Sequence, residues 1–181
     1  MFNNTKKILI GVFIISSLSF SKGMINFQKQ LMFENGKKIE ITENDIKDST
    51  YKNNRDKEEK IRYKIVEFAK TQIGKPYVYG ATGSSSFDCS SFVQYVFKKT
   101  LGITIPRVSS EQSIFKPKLH NNIKKGDLLF FETLEKGRIS HVGMYIGNRQ
   151  FIHASSKSKR VIVSDFTGFY QDKFRWAVSV I

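Results

Sequence analysis

The chain has 181 residues, a formal net charge of +14 and a hydrophobic fraction of 40% with sixteen phenylalanines. This length favours one globular domain with appendages, and the apolar content excludes a globally disordered chain. The single cysteine excludes an internal disulfide framework. The basic residues are dispersed and include no nucleic-acid motif, so the charge predicts attraction to an anionic envelope surface rather than to nucleic acid.

Residues 1–21 are predicted to be a signal peptide. Lys6 and Lys7 precede the apolar run ILIGVFIISSLSF, which is too short for a comfortable membrane span. Ser19 and Ser21 provide the small residues of a cleavage site, so we expect a cut after Ser21, with an uncleaved anchor as the alternative. Cleavage would remove two lysines and no acidic residue, which lowers the formal charge from +14 to +12. The protein is therefore expected in the periplasm, cell wall or medium.

Residues 22–57 form a charged N-terminal segment. Asn35-Gly36 lies between two short apolar-containing runs, a pattern typical of a β-hairpin. The following run KDSTYKNNRDKEEK, residues 47–60, is predicted to be a solvated linker. The segment contains no recognisable wall-binding module, so catalysis is assigned to residues 58–181.

Residues 58–181 are predicted to form an α+β domain. Apolar residues recur at helical spacing from Ile61 to Ile73, and Gly74 ends that pattern. A second helix, capped by Asp88, should begin at Cys89 and end near Leu101-Gly102. Five short strand-like runs follow. This order predicts N-terminal helices packed on a mostly antiparallel sheet. The runs are DLLFF, HVGMYIG, QFIHAS, RVIVSDF and RWAVSVI.

Cys89 is a candidate nucleophile. At the first position of a helix, its sulfur would lie near unpaired backbone N–H groups, which favour the thiolate and could also hold an oxyanion. A buried structural cysteine is the alternative, because position 89 lies on the same helix face as the apolar residues one turn later. The polar neighbours Asp88, Ser90 and Ser91 argue against a purely apolar environment.

Two of the three histidines are candidate partners for the cysteine. His141 begins HVGMYIG, on what the alternation predicts to be the smaller, more open face of its strand, and His153 lies in the next strand. An odd-length loop between the strands would place both histidines on one face, His141 as base and His153 as its orienting group. A Cys-His-His metal site is the alternative. His120 lies in a polar connector and is interpreted as a surface residue.

Tyr77 lies in the loop before the cysteine helix, in the run KPYVYG. Its phenol could donate a hydrogen bond to a developing oxyanion, although an aromatic residue after proline is more often a packing residue. The residues alone leave these two roles equally open.

The ordered blocks KPYVYG, FDCSSFVQYVF, IPRVSSEQ, KKGDLLFF and SHVGMYIGNRQFIHAS resemble the NlpC-type cysteine peptidases of bacterial cell walls. The resemblance covers nearly all of residues 61–181 and implies a compact papain-like α+β fold. It implies that Cys89 is the nucleophile, His141 the base and His153 the third polar residue. It also matches the tyrosine of the family's PY block to Tyr77 and its Asp-Cys-Ser triplet to Asp88, Cys89 and Ser90, so Tyr77, Asp88 and Ser90 are expected to contact the substrate or the oxyanion. Members hydrolyse peptidoglycan stem peptides, typically between γ-linked D-glutamate and the diamino acid.

Two positions depart from the family pattern, because Ser91 and Ala81 stand where glycine is usual. We expect catalysis to survive these changes, although a larger residue near the groove could narrow the substrate set. The leading hypothesis is an exported, monomeric peptidoglycan endopeptidase without a cofactor. The alternatives are a non-catalytic wall-binding protein, and related thiol chemistry on another substrate as an amidase, acyl transferase or small-peptide hydrolase.

Overall fold

The computed structural model describes residues 31–34, 37–40, 43–134 and 136–181. The chain divides into two compact units, Met1–Ile46 and Lys47–Ile181. No helix within the described ranges combines the length and apolarity needed to cross a membrane. The predicted signal peptide lies outside the described residues.

The first unit contains a β-hairpin. Its strands are β1 (Leu31–Glu34) and β2 (Lys37–Glu40), paired antiparallel with Glu34 opposite Lys37. This pairing confirms the hairpin predicted around Asn35-Gly36, whose two turn residues themselves lie outside the described ranges.

The first helix, α1 (Glu43–Lys70), is much longer than the sequence pattern predicts. The linker prediction for residues 47–60 is wrong, because this run is helical although almost all of it is exposed. Its lysine, arginine and glutamate residues have good helix propensity, and an ion pair of 2.7 Å between Glu58 and Arg62 joins consecutive turns. Apolar periodicity detects only the part of a helix that packs on a core, so it missed the exposed turns.

The second helix, α2 (Cys89–Leu101), has the predicted bounds. Asp88 caps its first turn by accepting a hydrogen bond of 2.7 Å from the Ser91 N–H. Gly102 ends it in the left-handed conformation, where the absence of a side chain removes the steric cost. The predicted apolar face is fully buried, and it consists of Phe92, Val93, Val96 and Phe97.

The rest of the second unit is a six-stranded sheet in which every pairing is antiparallel. This sheet confirms the predicted α+β architecture. Two short helices, α3 (Ser109–Gln112) and α4 (Phe169–Lys173), were not predicted. In spatial order the strands are β3 (Lys118–Leu119), β8 (Phe174–Val178), β4 (Leu128–Phe131), β5 (His141–Gly147), β6 (Gln150–Ser155) and β7 (Arg160–Asp165).

The sheet has two differently covered faces. On one face Val142 and Met144 of β5 belong to the main core with the apolar residues of α2. On the other face, the pairing of β4 with β5 places Phe131 opposite His141. Phe131 belongs to a second, smaller apolar cluster that also includes Phe151. Helix α2 packs on the first face. Its first residue, Cys89, lies near the backbone N–H of Val142 on β5.

A buried arginine fastens α1 to the sheet. Arg62 is 7% exposed, and its guanidinium contacts Asp127 before β4 at 2.8 Å and Ser179 after β8 at 3.0 Å. It also pairs with Glu58 one helical turn earlier. One side chain thus joins three elements through charge-assisted hydrogen bonds.

Candidate active site

Cys89 occupies the first residue of α2 and is half-buried against the main core. The backbone N–H groups of Cys89, Ser90 and Val142 on β5 lie near its sulfur, and each acts to lower the pKa of the thiol. The predicted arrangement of helix N–H groups around the sulfur is therefore present. The contact with Val142 also brings the thiol to the strand end where His141 begins β5.

The thiol is nevertheless protonated at neutral pH. Burial and the adjacent Asp88 carboxylate together raise the pKa of Cys89 to about 11, and the three N–H groups only oppose this rise. The prediction that the helix N-terminus leaves a low-pKa thiolate is wrong for the resting protein. Desolvation of the sulfur outweighs the helix N–H groups, so a thiolate at neutral pH would require proton transfer to a base.

His141 and His153 lie on one face of the β5–β6 hairpin, as predicted. Their rings are joined by a hydrogen bond of 2.7 Å between His141 Nε2 and His153 Nδ1. The turn itself differs from the predicted odd-length loop, because Gly147 pairs with Gln150 and a bulge lies between Tyr145 and Gly147. The extra residue of the bulge restores the register that a two-residue turn alone would have shifted.

Gly143 makes room for this histidine pair. A Cβ atom built on Gly143 would lie 2.5 Å from a ring carbon of Phe151 and 3.2 Å from His153 Cβ. Any larger residue would displace the Phe151 ring or His153. The glycine in HVGMYIG is therefore a packing requirement of the site.

Both histidines are buried, so the prediction that His141 lies on an open face is wrong. His141 is 9% exposed and His153 is 0% exposed, because Phe131, Phe151 and Tyr170 surround the rings. Burial lowers the pKa of His141 to about 4. Burial lowers the pKa of His153 further, with a smaller contribution from the neighbouring imidazole. Both rings are neutral at pH 7.

Two hydrogen-bond contacts engage three of the four ring nitrogens of the histidine pair. His141 uses Nε2 for His153, and His153 uses its own Nε2 for a contact of 3.0 Å with Ser164 Oγ on β7. His141 Nδ1 takes part in neither of these two contacts. Ser164 was missed by the sequence analysis, since only the β6–β7 register brings it to His153.

Asp88 and Ser90 were predicted as substrate or oxyanion residues, but the structure gives them a positioning role. Both are nearly buried, and Ser90 Oγ donates to Asp88 Oδ1 at 3.2 Å. The carboxylate also accepts N–H groups of Gly80 and Ser91. Because its oxygens are already occupied by protein donors, and a carboxylate cannot donate to an oxyanion, Asp88 holds the start of α2 in place.

Arg107 completes this cap and was missed by the sequence analysis. Its guanidinium binds both carboxylate oxygens of Asp88, at 2.6 and 3.1 Å, and donates to the Ala81 carbonyl at 2.7 Å. Burial alone would raise the pKa of Asp88, but Arg107 and the Ser91 N–H hold it below its ordinary value. A buried N-cap aspartate needs a cationic partner, and this was the available sequence signal.

Tyr77 packs against the main core, as Cys89 does. Burial raises the pKa of its phenol, and the charges of Cys89 and Asp88 raise it further. Its backbone is held by a hydrogen bond of 2.9 Å from its N–H to the Lys159 carbonyl and by a parallel bridge to Phe87. The phenol remains a neutral donor at pH 7, as a role in binding an oxyanion requires.

The remaining sequence expectations have different outcomes. Ser91 does not line a groove; it is 1% exposed and its Oγ accepts the Asp88 N–H at 3.0 Å, which closes the helix cap. His120 is exposed, as predicted. Within the described part of the chain, no three histidine, cysteine, aspartate or glutamate side chains are grouped so that they could hold a metal ion.

Comparison with known proteins gives a consistent result. The model of the NlpC/P60 family matches residues 74–180, more than half of the chain. Among solved structures, the NlpC/p60 domain of the peptidoglycan hydrolase SagA superposes with a TM-score of 0.58 at 34% identity, covering 66% of this chain and 98% of that one.

Two curated relatives match the same part of the chain. Gamma-DL-glutamyl hydrolase of Bacillus subtilis is 45% identical over 102 residues, which are 55% of this chain and 24% of the relative. Murein DD-endopeptidase MepH of Escherichia coli is 36% identical over 103 residues, which are 55% of this chain and 38% of the relative. The chain thus spans less than half the length of these two proteins. From the matched region and the shared fold, the chain belongs to the NlpC/P60 family.

Proposed function

We propose that this chain is an exported peptidoglycan hydrolase that cleaves an amide bond of the stem peptide by a thiol mechanism. Cys89 is the nucleophile, His141 the general base and acid, and His153 the group that orients His141. The Cys89 N–H and Tyr77 stabilise the oxyanion. No cofactor takes part in this chemistry.

One observation carries the proposal. His141 and His153 form a buried pair of neutral imidazoles joined by a hydrogen bond of 2.7 Å. His141 directly precedes Val142, whose N–H lies near the Cys89 sulfur. A nucleophile, a base and a group that orients the base are the components of thiol catalysis. A purely structural cysteine would not require two buried histidines, which cost free energy of desolvation if they are ever protonated.

The pKa values support a mechanism in which proton transfer and attack occur together. The Cys89 proton moves to His141 Nδ1 as the sulfur attacks the amide carbonyl carbon, and the carbonyl oxygen becomes the oxyanion. His141 then gives this proton to the leaving amine, and the C–N bond breaks. Because burial lowers the pKa of His141 to about 4, its protonated form is a strong acid for that second step. Water hydrolyses the resulting thioester.

We propose the bond between γ-D-glutamate and the diamino acid as the target. The support is the 45% identity to a relative named as a gamma-DL-glutamyl hydrolase. Another relative is named as a DD-endopeptidase, so the position of the scissile bond is the part that product analysis must decide.

The test is digestion of purified peptidoglycan followed by mass analysis of the muropeptides. Wild-type protein should release fragments with new amine and carboxyl termini at the γ-D-glutamyl bond, and Cys89→Ala should release none. His141→Gln should also be inactive. The matched control is His120→Gln, which changes an exposed histidine outside the site and should retain wild-type activity.

Two results would contradict the proposal. Equal product release by wild type and Cys89→Ala would exclude the thiol mechanism. Wall association without any product, retained in Cys89→Ala and abolished by salt alone, would identify a charge-driven wall-binding protein instead.

We further propose that the chain is exported, as a monomer attracted to the anionic envelope. The support is the lysine-flanked apolar run in residues 1–21 and the formal charge of +12 that follows its removal. N-terminal sequencing of the protein from the envelope and medium should begin at Lys22. A mature chain that begins at Met1 would contradict cleavage.

A further inference from the structure

Ser164 lies where it can control the protonation pattern of the histidine pair. In the β6–β7 register, His153 is opposite Ile162 and Ser164 is opposite Phe151. Residues two apart on a strand share a face, so Ser164 is a diagonal neighbour of His153. The separation of 3.0 Å between Ser164 Oγ and His153 Nε2 is that of a hydrogen bond.

The direction of this hydrogen bond decides whether His141 can act as a base. A neutral imidazole has one N–H, and His141 must keep it on Nε2 if Nδ1 is to accept a proton. His141 Nε2–H then donates to His153 Nδ1, which forces the His153 proton onto Nε2, where it donates to Ser164. In the opposite pattern, His153 donates to His141, whose Nδ1 then already carries a proton and is blocked.

Tyr170 on α4 packs beside Ser164 and the histidine pair. Its ring lies 5.4 Å from that of His153 and 4.8 Å from that of Phe151. Burial raises the pKa of Tyr170, and the nearby Ser164 hydroxyl opposes this rise. A Ser164 proton directed to the Tyr170 phenol leaves Ser164 Oγ to accept from His153, which is the first pattern.

We propose that Ser164, held by Tyr170, is a positioning residue that fixes His153 as the Nε2–H tautomer and so keeps His141 Nδ1 free to take the Cys89 proton. This assignment rests on the proposed function, because only a base at His141 makes the tautomer matter. It extends the hydrogen-bonded series from two histidines to three side chains, in the order His141, His153 and Ser164, with Tyr170 beside its end. Outer groups of this kind orient the residues that react.

The direct test is nitrogen-15 NMR of histidine-labelled protein at pH 7. The chain has three histidines, and exposed His120 provides the reference signal. Wild-type His153 should be the Nε2–H tautomer. Ser164→Ala should convert a measurable fraction of His153 and His141 to the Nδ1–H form, and Ser164→Thr, which keeps a hydroxyl, should restore the wild-type pattern. Wild-type His153 as the Nδ1–H tautomer, or an unchanged pattern in Ser164→Ala, would overturn the assignment.

The kinetic test uses muropeptide cleavage by the same variants. Ser164→Ala should lower kcat roughly tenfold to a hundredfold with KM changed by less than about twofold, and Ser164→Thr should recover most of the rate. Tyr170→Phe, which leaves the Ser164 proton free to turn toward His153, should give a smaller loss of kcat. Ser156→Ala is the matched control, since Ser156 is exposed in the β6–β7 turn.

The two readouts separate the proposals. An unchanged kcat in both Ser164→Ala and Tyr170→Phe would overturn the assignment of Ser164, as would a kcat that falls while the tautomers stay the same. A wild-type protein that cleaves no peptidoglycan would instead contradict the proposed function, and the NMR measurement would still decide the tautomer. If Ser164→Ala does not fold, Tyr170→Phe and Ser164→Thr decide the question.

Discussion

Two nearly identical ion pairs serve different parts of this molecule. Arg62 binds Asp127 at 2.8 Å where α1 meets the sheet, and Arg107 binds Asp88 at 2.6 Å beside the thiol. In each pair the carboxylate is almost completely buried. The arginine of the first pair is 8% exposed at its side chain, whereas Arg107 is 32% exposed. Both are arginine–aspartate ion pairs, but the other groups that each arginine contacts differ.

The difference lies in what each arginine joins. Arg62 joins a helix to two strands, so its loss would affect the association of whole elements. Arg107 joins the Ala81 loop to Asp88, the residue immediately before Cys89. The first pair is therefore expected to determine how much protein is folded, and the second how well the folded protein works. Each of the following tests would support or contradict this distinction.

The largest expected effect is loss of stability in Arg62→Met. Removing one partner of a buried pair leaves an uncompensated carboxylate, so the free energy of unfolding should fall by about 3–5 kcal/mol. Urea unfolding measures this loss. Cleavage per folded molecule, measured well below the new midpoint, should stay at the wild-type value. A specific loss of turnover in the folded variant would remove the distinction between the pairs.

Arg107→Met should give the opposite pattern. Without the guanidinium, Asp88 can reorient and move the start of α2, and a small displacement of the sulfur should lower kcat roughly tenfold to a hundredfold. The loss of stability should be smaller than in Arg62→Met, because Arg107 is partly exposed. Arg107→Lys keeps the charge but not the two-point contact, so it should recover only part of kcat. A stability loss as large as that of Arg62→Met, with unchanged kcat, would refute this role.

Acid should act on the histidine pair and leave the Arg107–Asp88 pair in place. Because burial lowers the folded-state pKa of both histidines, the unfolded chain binds more protons below about pH 6.5, and stability is lost as pH falls toward 4. Between pH 6.5 and 5 the loss should be about 1.5 kcal/mol for each histidine. The lowered pKa of Asp88 keeps its pair ionised in this window.

Chemical unfolding of wild type at several pH values measures this slope. The same slope is expected in Arg62→Met and Arg107→Met, and about half of it in His153→Gln. A slope that disappears with either arginine would show that acid acts through that pair instead.

The smallest expected effect is that of Glu58→Gln. Glu58 contacts Arg62 at 2.7 Å and Lys124 at 3.0 Å, but its side chain is 38% exposed. Solvent screens such pairs, so stability should fall by less than about 1 kcal/mol in urea unfolding. A loss as large as that of Arg62→Met would mean that Glu58, rather than Asp127, is the main partner of the arginine.

The sequence predicted features that depend on local pattern and nearby register. The bounds of α2, the strands β5 and β6, and the shared face of His141 and His153 follow from periodicity, capping residues and a short hairpin. The exposed part of α1 was not predicted, because charge-rich helices lack an apolar stripe.

Contacts between residues far apart in sequence were also missed. Arg107 reaches Asp88 across 19 positions, and Ser164 reaches His153 through the pairing of β6 with β7. The pKa of Cys89 could not be inferred from its place on the helix, since burial acts against the helix N–H groups and depends on the surrounding core.

The solitary thiol of Cys89 also gives the protein its own assay standard. The chain has one cysteine, so each mole of thiol reagent consumed after denaturation corresponds to one mole of protein chain. In the native protein the thiol is half-buried and its pKa is raised to about 11, so a reagent too bulky to enter the site should react with it far more slowly at neutral pH than with the denatured chain. The fast fraction in an undenatured sample therefore measures how much of a preparation is misfolded, without any substrate.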